Sequence, residues 1–142
     1  MATWDDVRRM ALALPEASEG ESRGLDSWVV RGKGFVWERP LRPADLRALG
    51  DAAPDGPILG ARVAHLGAKA DLLATDPSVY LTTPHFDGYP AVLVRLERIS
   101  LDELETVIVE AWLARAPAPL VRAFLAARPG QEATENAIAP PG

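Results

Sequence analysis

Hydrophobic positions in the first fifteen residues recur at helical spacing: Trp4, Val7, Ala11 and Leu14 fall on one stripe, and Pro15 stops the pattern. Thr3, with Asp6 three residues on, supplies an N-cap, so a helix is predicted over residues 4 to 14. The next segment, PEASEGESRG, is polar and contains glycine, which predicts an exposed loop. DSWVVRGKGFVWE then holds two β-rich runs about Gly32 and Lys33, a hairpin for which a Gly-X loop of type II′ is the natural turn.

Beyond Pro40, RPADLRALG places proline near a helix start and Gly50 just past its end, predicting a short helix before the surface loop DAAPDGP. ILGARVAHL reads as a strand, and AKADLLAT as a short helix ended by Asp76-Pro77. SVYLTT and PAVLVRLE read as strands. In the second, Val92, Val94 and Leu96 alternate with Leu93, Arg95 and Glu97, as in a strand with one face packed and one in water.

Ser100 and Glu103 form a capping-box pattern ahead of Leu101, Leu104, Val107, Ile108, Ala111 and Trp112, the clearest helical stripe in the chain. Pro117 and Pro119 interrupt it. PLVRAFLAAR makes a last short helix with Leu120, Phe124 and Ala127 inward, and residues 129–142 read as a flexible tail with little to bury. Terminal helices around four or five strands predict one α+β domain over residues 1–128: a twisted antiparallel sheet covered by helices on one face.

Composition fits that picture: 142 residues, 48% hydrophobic and 25% charged, suit a single ordinary core. No cysteine is present, which removes disulfides, thiolate metal sites and a cysteine nucleophile together. With no signal-peptide pattern and no membrane-length apolar run, a cytoplasmic location is expected. The net charge of −5 runs against a dedicated nucleic-acid binder. Between Arg23 and Arg47, however, six basic residues (Arg23, Arg31, Lys33, Arg39, Arg42 and Arg47) face three acids (Asp26, Glu38 and Asp45).

ALALPEASEG, RGKGFVWE, TTPHFDGYPAVLVRL and the segment from Asp102 to Leu120 with its AW and AP pairs resemble, in order and spacing, the MmcQ/YjbR family. The resemblance spans roughly residues 5 to 125. It implies a frataxin-like (CyaY-like) α+β fold and a DNA-binding role through a double-wing arrangement of β-hairpins. It brings no catalytic motif, and RPLRPADLRALG is longer here than the corresponding run in many relatives.

Three chemistries are open to these residues. Arg31 and Lys33 at the hairpin tip, with Arg39 and Arg42 after its second strand, make a cationic edge able to meet DNA phosphates, or simply solvate an exposed hairpin. In the loop TTPHFDGYP, His85 could serve as a general base with Asp87 orienting it and Tyr89 donating a hydrogen bond, forming a small-molecule site; alternatively Phe86 and Tyr89 only pack. A third reading is a protein-interaction module with an exposed apolar patch.

The aromatic residues Trp28, Phe35, Trp37 and Trp112 are read mainly as core, with Phe35 and Trp37 sharing a face. His65 and His85 are the only histidines, and on the first helix only Asp5, Asp6 and Glu16 are acidic, so neither a metal nor another cofactor is expected. No G-x-S-x-G, S-x-x-K or phosphate-loop pattern occurs, and the sequence favours a binding protein over an enzyme.

Overall fold

The computed structural model describes residues 2–127, so the predicted tail at 129–142 lies outside the described residues. The chain runs α1 (Trp4–Leu12), β1 (Ala17–Ser22), β2 (Leu25–Val30), β3 (Lys33–Glu38), α2 (Pro43–Leu49), β4 (Ile58–Arg62), α3 (Leu66–Thr75), β5 (Tyr80–Leu81), β6 (Ala91–Arg95), α4 (Leu101–Arg115) and α5 (Ala118–Ala126). All six strands join one antiparallel sheet in the order β1-β2-β3-β4-β6-β5. The α+β expectation holds, with α1 and α4 packed on one face of the sheet. Among the described residues no helix is long and apolar enough to cross a membrane.

The main core lies between that face and the helices. Val7 and Ala11 of α1, Trp28, Val30, Phe35 and Val36 of the hairpin, and Leu104, Ile108, Ala111 and Trp112 of α4 are all enclosed there. Thr3 and Asp6 make the full capping box of α1. At α4 the box is only half made: Ser100 Oγ accepts from the Glu103 N–H at 3.1 Å, while the Glu103 carboxylate accepts from the Tyr80 hydroxyl instead of turning back. Burial, with Glu103 alongside, raises the Tyr80 phenol well above its ordinary pKa.

Five expectations are corrected. The polar segment after Pro15 is largely a strand: β1 pairs with β2 from Ala17↔Val30 to Ser22↔Leu25, because hydrogen bonding to a strong neighbour overrides weak local propensity. The hairpin loop is Arg31-Gly32, not Gly32-Lys33, and with φ of 51° and 80° it is a type I′ turn, whose twist matches that of the strands. Arg23 and Gly24, at 54° and 78°, repeat the same turn between β1 and β2.

A bulge at Phe35 sends it into the main core beside Val36, so Phe35 and Trp37 do not share a face. β6 is buried on both sides: Leu93 joins Ile58, Phe86 and Ala91 in a second small cluster on the far face of the sheet, so that face is not wholly in water. Finally, Leu120 and Phe124 of α5 turn inward, with Phe124 4.9 Å from the Trp112 ring, but Ala127 is exposed.

Candidate functional site

Strand register sorts the side chains of the sheet by chemistry. Directly paired residues share a face, and on the helix side Glu19 pairs with Trp28 and Glu21 with Asp26. The opposite face carries the row Gly20, Ser27, Trp37, Gly60, Leu93, Leu81, flanked by the row Ser18, Val29, Gly34. Arg62, opposite Ala91, and Arg95, opposite Ile58, stand on this same face. No strand position of it in β1 to β6 holds a carboxylate, although the chain as a whole is at −5.

This face is divided. At the β5–β6 end the loop after β5 covers it, inserting Phe86 from a short 3-10 turn (Pro84–Phe86). At the β1–β3 end it is open, and a side chain built on Gly34 would meet nothing within 4 Å. Trp37 marks the border: its half-buried indole lies directly over Gly60, where any Cβ would come within 2.4 Å of the ring. Glycine at position 60 is therefore what lets the indole lie down on the sheet.

Beside it, the Arg62 guanidinium sits 4.7 Å from the Tyr89 ring centroid and donates from Nη1 to the phenol oxygen at 2.6 Å. Tyr89, 43% exposed, is itself held by its backbone. Buried Lys69 of α3 reaches up to donate from Nζ to the carbonyl oxygens of Phe86 at 2.5 Å and Tyr89 at 3.0 Å. Burial lowers the Lys69 pKa, with Asp87 opposing that shift.

The proposed hairpin cations are split by the structure. Arg31 and Lys33 stand at one end of β3 and Arg39 and Arg42 at the other, roughly 20 Å apart at the usual rise of a strand. Arg31 is exposed but paired with Glu16, which lowers the Glu16 pKa; Lys33 is exposed. Arg39 is only 4% exposed, bonded to Asp45 at 3.0 Å and stacked 5.2 Å from the Phe86 centroid, so its charge is spent inside the protein. Arg42 is exposed as the N-cap residue of α2.

The His85, Asp87 and Tyr89 trio is brought to the surface but not joined. Among the described residues no hydrogen bond links His85 to Asp87 or Tyr89, and His85 meets Phe86 edge-on at 4.9 Å. Two concavities lie elsewhere, among α1, α4 and α5; the larger of the two, about 230 Å³, is lined by Met10, Leu14, Ile108, Val109 and Phe124. His65 caps α3, its Nδ1 accepting from the Ala68 N–H at 3.0 Å. Among the described residues no three His, Asp or Glu side chains are grouped as metal ligands would be.

Arg62 and Trp37 were not singled out as a joint site from sequence, because their proximity depends on the β3–β4 register. The row of small residues in β1 was equally hidden once that segment read as a loop.

No family model matches the chain. Uncharacterized proteins of Mycobacterium tuberculosis and Mycobacterium bovis are 53% identical to it over 129 residues, covering 89% of this chain and 98% of theirs. The chain belongs to their family. In fold it is similar to the crystal structure of a Deinococcus radiodurans protein with a DUF419 domain, at a TM-score of 0.60 and 18% identity, over 80% of this chain and 78% of that one.

In this family member Lys69 is the pin that seats the Tyr89 loop. Lys69→Met should cost about 2 kcal/mol of stability, since two carbonyl oxygens lose their donor on a loop that then loosens. Urea denaturation measures this; an unchanged midpoint would mean the loop is held by Phe86 packing alone.

Proposed function

We propose that this chain is a non-enzymatic binding module of the MmcQ/YjbR type, the family that the DUF419 domain of its structural neighbour denotes, and that it associates with nucleic acid through the open face of its sheet. The observation carrying this reading is the segregation of charge. An acidic protein keeps every strand carboxylate off one sheet face and equips that face with Arg62, the Trp37 indole and the Tyr89 phenol. Such a surface suits a ligand that is anionic along one edge and planar along the other.

Of the hairpin, it is Trp37 that serves this face. Arg62 is level with Phe35 on the tip side of the sheet, which puts it roughly 8 Å from Lys33 by strand spacing and rise. Lys33, however, pairs with Val30 and so stands on the helix side, which leaves Arg62 as the cation of this part of the open face, whereas Arg39 and Arg42 belong to the other end.

Anisotropy of a labelled oligonucleotide in low salt tests this. Arg62→Glu should weaken binding at least about tenfold and flatten its salt dependence, whereas Lys33→Glu, on the other face, and Arg42→Glu, at the other end, should leave it unchanged. Equal losses from all three substitutions would indicate a diffuse charge effect and not this face. No binding by the unaltered protein would end the reading.

A further inference from the structure

We infer that the open sheet face takes single-stranded nucleic acid in preference to duplex, with a base laid against the Trp37 indole and the small-residue floor beside it. This rests on the nucleic-acid reading above and narrows it to one class of ligand. Three features of the site carry it.

The first is shape. Gly20, Val29 and Gly34 make a floor of small side chains about the buried Ser27 and next to Trp37, and the space above Gly34 is free for at least 4 Å. A flat base can descend to such a floor. The rounded, phosphate-studded surface of a duplex buries its bases in the stack and has nothing to lay there.

The second is the aromatic itself. Trp37 is the one tryptophan of the hairpin that is only partly buried, since Trp28 is 1% exposed in the main core. Its ring lies close over Gly60 and packs against the second core cluster, so a ligand stacking on it meets a surface already ordered. Pre-ordering spares the cost of fixing the ring on binding.

The third is the poverty of cations. A duplex binder without base contacts draws its affinity from neutralising many phosphates, each requiring a Lys or Arg. Here Arg62 is placed for that, Lys33 stands on the helix side, Arg31 is shared with Glu16, and the net charge is −5. Stacking must then supply much of the affinity, and only unpaired bases offer their faces.

The test compares a labelled single-stranded 12-mer of mixed sequence with the same sequence as a duplex, across a salt series. The single strand should bind more tightly, with a shallow log–log salt slope of about −0.7, from the one phosphate that Arg62 neutralises. Trp37→Leu should weaken single-strand binding about ten- to hundredfold, in line with the loss of one stacked base.

Gly34→Glu, which fills open space without touching the core, should weaken it by at least about tenfold and serves as the second probe if Trp37→Leu disturbs folding. Duplex bound as tightly as single strand, or single-strand binding indifferent to Gly34→Glu, would overturn this inference and leave the broader reading standing. Neither form binding even at low salt would overturn both.

Discussion

Asp45→Ala will cost this domain about 3–5 kcal/mol of unfolding free energy, because it leaves Arg39 charged, enclosed and without its partner. Arg39 and Asp45 are 4% and 3% exposed, and the carboxylate also accepts the Arg42 backbone N–H at 2.8 Å, closing the first turn of α2. Burial alone would raise the Asp45 pKa, but the bonds from Arg42 and Arg39 outweigh it and hold it below the ordinary aspartate value.

The sign of the pH dependence follows. A carboxyl whose folded pKa is depressed contributes stability that is complete above its unfolded value, and loses it as pH falls through the folded one. Urea titrations should therefore show a steep loss of stability below about pH 4 in the unaltered protein, and a shallower one in Asp45→Ala. Replacing both partners, as Arg39→Met with Asp45→Leu, should recover most of the loss, since no buried charge is then left unpaired. If the single substitution costs under about 1 kcal/mol, Arg39 swings out to water and the pair is a surface feature after all.

That pair also illustrates what sequence does and does not disclose. Helices with a cap and a clean stripe, α1 and α4, are readable because their signals are local: Thr3 with Asp6, Ser100 with Glu103, and apolar residues three and four apart. Arg39 and Arg42, two similar residues three positions apart, are not distinguishable that way. One is sealed under α2 and the other is in solvent, and the difference depends on how α2 turns Asp45 back and where Phe86 arrives from a distant part of the chain.

The same holds for β1. Ser18, Glu19, Gly20, Glu21 and Ser22 look like a loop because none favours a strand, yet alternation is present in them, with serine and glycine on one side and glutamate on the other. Two-residue periodicity in charge, without any hydrophobic component, is a weak signal on its own. It becomes meaningful only beside β2, where it sets which face of the sheet is acidic.

Placement of the candidate site follows the same logic. The aromatic hairpin is visible in RGKGFVWE, but the arginine that completes the site lies in the next strand, in ILGARV. Its orientation depends on Tyr89, and Tyr89 depends on Lys69. A lysine inside AKADLLAT gives no sign in the sequence that its ammonium group is buried.

Trp112→Ala should be comparably costly, about 3–5 kcal/mol, and it separates the fold from the proposed binding face. Trp112 is wholly buried on α4, packs against Phe124 of α5, and donates from Nε1 to the Pro15 carbonyl at 3.1 Å, a bond linking residues 97 apart in sequence. Removing the side chain leaves a large void where α1, α4 and α5 meet, and Pro15 O loses its donor.

Trp112→Phe restores most of the volume without the N–H, so it should lose only about 1–2 kcal/mol, and the gap between the two variants, both without the N–H, measures packing. Because α4 lies on the far side of the sheet from Gly34 and Trp37, either variant should bind an oligonucleotide normally at temperatures where it remains folded. A Trp112→Ala protein that is folded by circular dichroism yet fails to bind would place the site among the helices instead, in the concavity lined by Met10, Ile108 and Phe124.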